Sequence, residues 1–461
     1  MEQDLPSLRS RVFRAGSWTI VGHFCSLALR FVASLTLTRI FAPQVFGILS
    51  VLTAIQVIIA LLTDFGVRQA VIQSSSGEDR SFLRTAWTIQ ILRGLLIWAV
   101  SILVAIALYA TQTWNLLPAG SVYEASSFPI FVVASSFAAV ILGFQSMKAI
   151  TADRDLDVMR LTLIDVAAQI VSFFFIVGFG WVTRSIWSYI AGSILSSVLV
   201  VVFSHTLLEG PKDRLGWNRD AIRELARFGR WTFVSSAIGA AAMNGDTLLM
   251  GAWVPAPVLG FYSIAKNLAS VADDIANRLY GRVSLPALSE VARLRPERFP
   301  DLLFRMRLIS DSVVLGFAGF LFAAGGGIVS FLYDPRYSSA GWMLQWLSFG
   351  LVFTRYGVSQ SAFLALARPQ YISAINITKL VSILTIVPVA FYLFGVKGAV
   401  IGIGFHMFPC IAWIFYYNRR HGLNSVFVEV ASLAAWFAGW LVGLGAVEIL
   451  AFAKQAITGP F

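Results

Sequence analysis

Five cations lie inside long apolar stretches: Arg30, Arg93, Lys266, Arg355 and Lys379. Each would cost ~2.5–3.5 kcal/mol at the centre of a membrane helix, so such residues are expected to face a bundle interior or a wet cavity. Their neighbours repeat at helical spacing. His23, Ser26, Arg30, Ser34 and Thr38 share one face, and so do Ser263, Lys266, Ser270, Asp274 and Asn277. Ser373, Asn376, Lys379 and Ser382 make a third stripe, Ser348, Arg355 and Ser359 a fourth, and Trp87, Gln90 and Arg93 a fifth. Deep acids are fewer, namely Asp165, Asp246, Asp273 and Asp274. A surplus of positive charge suits an anion, and the planar arginine fork can hold two phosphate oxygens at once. Arg30 and Arg355 lead as anion-binding candidates. Arg93 and Lys379 could instead snorkel to the membrane edge, and Lys266 could pair with Asp273 or Asp274. Asp165, Asp246 and Asp274 are candidates for a coupling ion.

The elements that carry these residues follow from composition. The 461 residues are 57% hydrophobic and 13% charged, with 37 Phe and 14 Trp. Soluble domains are about 25% charged, so a soluble enzyme is excluded. Apolar segments fall at roughly 15–38, 44–63, 85–110, 126–147, 161–179, 185–207, 231–253, 256–279, 312–333, 340–366, 371–394, 397–418 and 424–452. The expected fold is an all-α polytopic membrane protein with 13 transmembrane helices, or 14 if the last segment is a re-entrant pair, with 12 also open.

Lys and Arg check that count. The N-terminus and the even-numbered connections carry 25 of them, the odd-numbered connections and the tail five. This split places the N-terminus in the cytoplasm. It also accounts for the net charge of +11 without a nucleic-acid partner. The run from Ala15 to Leu37 has no small-residue cleavage site and is read as a first crossing. Cys25 and Cys410 sit in apolar segments as small core residues.

Two large basic connections divide the chain. The expected parts are a cytoplasmic segment 1–14, a six-helix bundle 15–207, a linker 208–230, a second six-helix bundle 231–418, and one or more extra helices in 419–461. In the linker, Trp217, Leu225 and Phe228 recur at near-helical spacing among arginines, as in a helix lying on an anionic leaflet; an ordinary solvated helix fits equally. The halves share ordered anchors. Gly47 and Gly260 are 213 residues apart, Phe65-Gly66 and Tyr280-Gly281 are 215, Gln145-Ser146 and Gln360-Ser361 are 215, and Arg154 and Arg368 are 214. A repeat of about six crossings keeps its orientation, which implies two pseudo-symmetric bundles around a central cavity, with substrate bound near mid-membrane.

Catalytic signatures are missing from the sequence. Gly325-Gly326-Gly327 leads into Ile-Val with no phosphate-binding lysine, and neither H-E-x-x-H nor a Cys/His cluster occurs. No cofactor, metal or enzymatic activity is expected.

Leu37-Thr-Arg-Ile-Phe-Ala-Pro-Gln-Val-Phe-Gly-Ile-Leu49 and Asp64-Phe-Gly-Val-Arg-Gln-Ala-Val-Ile-Gln73 resemble the N-terminal signature of the polysaccharide transporters. These are the Wzx-type lipid-linked oligosaccharide flippases of the multidrug/oligosaccharidyl-lipid/polysaccharide exporter superfamily. Gly260-Phe-Tyr-Ser-Ile-Ala-Lys-Asn267 and Pro286-Ala-Leu-Ser289 resemble that family's second half. The resemblance covers most of 15–420. It implies two six-helix bundles about a V-shaped cavity, and export of an undecaprenyl-diphosphate-linked glycan across the bacterial inner membrane for exopolysaccharide, O-antigen or capsule biosynthesis. Basic residues in the first and eighth helices are frequent in the family; Arg30 and Lys266 lie in those helices. On this reading Arg30, Arg355, Lys266, Arg93 and Lys379 hold the diphosphate. Gln145, Gln360 and Asn244 belong to the polar set that meets the sugars. Membrane lipids, a polysaccharide polymerase and glycosyltransferases are the expected partners. The rival reading is an ion-coupled multidrug/cation antiporter of the same superfamily, which should carry deep acids instead.

Overall fold

In lipid an isolated backbone must satisfy its own polar groups, and a helix does so. Each of the 13 apolar segments is accordingly mainly helical, and no strand occurs among the described residues. The structure is a computed structural model that describes residues 8–458 except 65, 75, 76, 78, 119 and 156. Side chains are described for these except 8–16, 226–238, 240, 241, 453 and 455–458. Phe65 of the repeat, the side chain of Phe228 and the side chains of the 1–14 segment therefore lie outside the described residues.

The chain divides into two compact units at 240/241. Unit 1 holds α1 (Leu8–Ile40), α2 (Pro43–Leu62), α3 (Val67–Gln73), α4 (Arg80–Thr113), α5 (Phe128–Gly143), α6 (Lys148–Arg154), α7 (Val158–Thr183), α8 (Trp187–Thr206) and the first part of α9 (Arg219–Trp253). Unit 2 holds the rest of α9, α10 (Ala256–Leu279), a π-helical turn (Tyr280–Ser284), α11 (Leu285–Leu294), α12 (Phe299–Leu332), α13 (Ala340–Leu347), α14 (Gly350–Thr354) and α15 (Gly357–Ala365). It ends with α16 (Pro369–Phe405), α17 (Phe408–Arg420) and α18 (Val426–Thr458). The paired anchors fall at helix starts: α2 opens at Pro43 after Ala42, and α10 at Ala256 after Pro255, each with proline in the first turn.

Among the described residues, eight helical spans are long and apolar enough to cross a membrane, or nine if the α5–α6 pair, bent by 67°, is one span. One of the eight, 369–420, has two arms, because Gly395 (φ 62°, ψ −146°) breaks α16 between the apolar segments 371–394 and 397–418. That backbone region is open to glycine and almost nothing else. α10 misses the measure because Lys266, Asp273 and Asp274 interrupt it, and α13–α15 miss it because the chain breaks near Ser348 and Arg355. The last apolar segment is a single continuous helix, α18, rather than a re-entrant pair. It lies along α12 so closely that a Cβ at Gly439 would collide with the Gly316 carbonyl, and one at Gly319 with the Trp436 carbonyl. Small residues of this kind let membrane helices approach backbone to backbone. The 419–461 segment is thus part of unit 2.

The linker departs from the expectation. Residues 208–218 are irregular, and helix resumes at Arg219. Trp217 is exposed, but Leu225 is 2% exposed and packs with Val67, Val71, Phe82 and Met147. Leu225 therefore holds the start of α9 inside unit 1 and does not face a leaflet.

Candidate substrate-binding site

Arg30 lies on α1, exposed, and lines a cavity of about 380 Å³ within unit 1. Its walls come from α1, α7 and α8, with the end of α5 at one edge. Their polar side chains are Gln169, Ser172, Tyr189, Ser193, Ser196 and Ser197. Among the described residues Arg30 has neither a hydrogen bond nor an ion pair. Its five N–H donors are available to a ligand. The serines are prepared differently. Ser172 donates to the Gly192 carbonyl (2.7 Å), Ser193 to Ile190 (2.8 Å) and Ser197 to Ser193 (3.0 Å). With their protons spent on helix carbonyls, these hydroxyls offer lone pairs, which accept from sugar hydroxyls. One wall donates to an anion and the other accepts from neutral polar groups. Gln169 is held toward α1 by donating to Ser26 Oγ (3.4 Å).

The other deep cations are mostly engaged. Arg93 donates to the Ala60 carbonyl (2.9 Å) and lies 3.6 Å from Asp64. Lys266 donates to both oxygens of Asp246 (2.8 and 2.6 Å) and to Thr247 Oγ1 (3.0 Å), while Tyr262 donates to the same carboxylate. Its partner is on α9, not Asp273 or Asp274 on its own helix. Asp246 is consequently already neutralised by an ammonium, and Asp274 is exposed.

Arg355 is 5% exposed and donates to Glu429 Oε2 (2.5 Å), Ser432 Oγ (2.9 Å) and Tyr356 Oη (2.5 Å). The same Glu429 accepts from Arg307 (2.6 Å), which also reaches Asp311 (2.9 Å). Two arginines and two acids thus balance inside unit 2, joining α12, the α14–α15 break and α18. Arg355 itself sits at the break between α14 and α15, and its guanidinium is 4.5 Å from the centre of the Tyr356 ring. An unpaired cation at Arg355 was the expectation, and the structure corrects it.

Lys379 is half-buried, in electrostatic range of Asp273 and Asp246, with no hydrogen bond or ion pair among the described residues. Asp165 is exposed on α7, in range of Arg68. Gln145 lies in the α5–α6 bend, where its backbone carbonyl accepts from Gln90 (3.0 Å). Gln360 is half-buried on α15, and Asn244 is half-buried on α9. None of Gln145, Gln360 and Asn244 lines the Arg30 cavity.

Arg307, Asp311, Tyr356 and Glu429 escaped the sequence reading. Arg307 and Asp311 sit one helical turn apart at the edge of an apolar segment, and Glu429 is the lone acid at the start of the last one. That spacing was the signal.

The family model described as polysaccharide biosynthesis protein matches residues 36–341. The chain belongs to that family. Within the family's reach, the lipopolysaccharide biosynthesis protein WzxC of Escherichia coli (strain K12) is 23% identical over 74% of this chain and 67% of its own length. The teichuronic acid biosynthesis protein TuaB of Bacillus subtilis (strain 168) is 20% identical over 68% of this chain and 63% of its own. The chain therefore spans about two thirds of these relatives or slightly less. Among solved structures, the lipid II flippase MurJ in an inward closed conformation matches with a TM-score of 0.66 at 12% identity, covering 95% of this chain and 98% of MurJ. An inward-facing multidrug resistance MATE transporter matches at 0.56 and 14%, covering 93% and 95%. These likenesses show the fold: a multi-pass helical membrane protein of the polysaccharide biosynthesis family with the MurJ and MATE architecture.

Proposed function

We propose that the protein is a flippase that moves an undecaprenyl-diphosphate-linked oligosaccharide across the bacterial inner membrane for polysaccharide biosynthesis, by alternating access of its two helical units. Its N-terminus lies in the cytoplasm. Membership of the polysaccharide biosynthesis family supports the pathway, and the fold shared with a lipid II flippase supports the transport step.

The observation that carries the substrate chemistry is the Arg30 cavity. A guanidinium with no acid partner beside serine lone pairs suits a phosphate joined to a sugar. The isoprenoid tail stays in lipid, so only the headgroup needs this polar wall. The same geometry weighs against a carrier of lipophilic cations. Asp246, Asp311 and Glu429 each have a cation bound, Asp165 and Asp274 lie on exposed faces, and the half-buried Asp273 accepts from Thr354 within electrostatic range of Lys379.

Complementation of a flippase-deficient strain tests the reading. Arg30→Ala should abolish surface polysaccharide at normal protein level, and Arg30→Lys should restore part of it, since an ammonium keeps the charge but loses the bidentate fork. Full export by Arg30→Ala would overturn the Arg30 assignment. Efflux of lipophilic cations by the wild-type protein, without glycan export, would favour the antiporter.

A further inference from the structure

A second hollow in unit 1, of about 300 Å³, is lined by Arg80, Arg84, Lys148, Lys212 and Arg214, with Thr151 and Asp213. Its walls come from three separate connections: the start of α4, the start of α6 and the irregular 208–218 segment. Among the described residues, the side chains of Arg80, Arg84, Lys212 and Arg214 make no hydrogen bond and no ion pair. Ordinary surface cations scatter; here four unpartnered ones converge on one concavity.

The one acid in the wall is occupied. Asp213 accepts from Ser146 Oγ (2.6 Å) and from the Met147 backbone N–H (3.0 Å), and lies 3.5 Å from His205. This pulls the carboxylate onto the α5–α6 bend and leaves Lys212 and Arg214 on either side of a fixed point. Further along, the backbone N–H groups of Gly216 and Asn218 donate to Thr88 Oγ1 and Thr85 Oγ1 (both 3.1 Å), strapping the segment to α4. Gly216 fits only as glycine, because a Cβ there would come within 2.8 Å of Arg84 Cβ. Lys148 is held by donating to the His205 carbonyl (3.0 Å). The hollow is pre-formed, which lowers the ordering cost of binding.

Two exposed apolar residues adjoin the cations in sequence: Leu215 is 68% exposed and Trp217 64%. Tryptophan beside clustered Lys and Arg is the arrangement that settles at a membrane interface. We propose that this hollow is a binding site for the phosphate-bearing headgroup of an anionic phospholipid, with Leu215 and Trp217 resting in the interface beside it. The site is separate from the Arg30 cavity, shares none of its residues, and needs no glycan. Arg80 and Arg84, one turn apart on α4, close on the phosphate with Arg214, while Lys212 adds charge at the rim. A lipid held here ties the 208–218 segment to the leaflet just before α9 begins.

The full-length detergent-solubilised protein, titrated with phosphatidylglycerol or phosphatidylcholine and followed by native mass spectrometry, tests the site. Arg84→Gln/Arg214→Gln should lower phosphatidylglycerol affinity by about fivefold for each charge removed. Arg278→Gln/Arg282→Gln, an equal charge loss in unit 2, should leave it unchanged. Trp217→Ala should weaken the phospholipid while leaving competition by inorganic phosphate unaltered. Equal loss in both double variants would overturn the site by showing diffuse surface charge. Equal retention of phosphatidylcholine would overturn it too, and so would saturable inorganic phosphate binding without phosphatidylglycerol preference. All five substituted side chains are exposed, so folding should survive, and a matching thermal transition with wild type verifies it.

Discussion

At the scale of single residues, the decisive difference among the deep cations is whether an acid reaches them. Arg355 and Arg307 share Glu429, and Arg307 and Asp311 are both completely buried. Removing one partner from such a cluster strands the others without solvent. Glu429→Ala should therefore destabilise the protein by roughly 3–5 kcal/mol, seen as a lower thermal transition of the full chain in detergent. Glu429→Asp should recover part of the loss. An unchanged transition in Glu429→Ala would show that water satisfies both arginines. The sequence makes the cations legible and hides their pairing: Glu429 is 74 residues from Arg355 and 122 from Arg307, and no periodicity links them. Lys266 shows the same effect. Its natural partner by helical spacing lay on its own helix, while packing delivered Asp246 from α9. Arg30 differs from both in that no acid reaches it among the described residues.

Helices are the part of the molecule that a sequence states most directly, because a long apolar run in lipid has one backbone solution. Every expected segment became helix on those grounds. The breaks were harder. Residues 340–366 look like one apolar run, yet three short helices form there, one break placing Arg355 where it meets Glu429. Gly395 carries its own explanation in its φ of 62°. Gly395→Ala should cost about 1–3 kcal/mol without touching any charged contact, measurable as a lowered thermal transition. Between α12 and α18 the restraint is volume rather than conformation. Gly439→Leu would place four carbons where the Gly316 backbone now lies, forcing α18 away from α12. The Glu429 bridge spans the same helix pair, so Gly439→Leu and Glu429→Ala should be less than additive in thermal stability, the signature of coupled sites. Strict additivity would mean that the glycine seam and the charge cluster hold α18 independently.

For the molecule as a whole, 25 of the Lys and Arg against five on opposite sets of connections is a statement about orientation, and it has a structural counterpart within unit 1. Arg80 and Arg84, Lys148 and Lys212 come from three different even-numbered connections, yet line one hollow. Arg68 of the first such connection reaches Asp153 of the second at 2.7 Å. These connections can meet only if an even number of crossings separates them, as the alternation requires. Cysteine mapping extends this to the whole chain. With Cys25 and Cys410 replaced, a single cysteine at Glu124, Ser338 or Lys397 should react with a membrane-impermeant maleimide in intact spheroplasts. One at Asp157, Leu215, Glu297 or Gly422 should react only after the membrane is opened. The two sets exchanged would reverse the topology while preserving the helix count. A switch of pattern part-way along would locate a miscounted crossing, and the region to watch is 340–420, where broken helices and the Gly395 bend make apolar length a poor guide to how often the chain crosses.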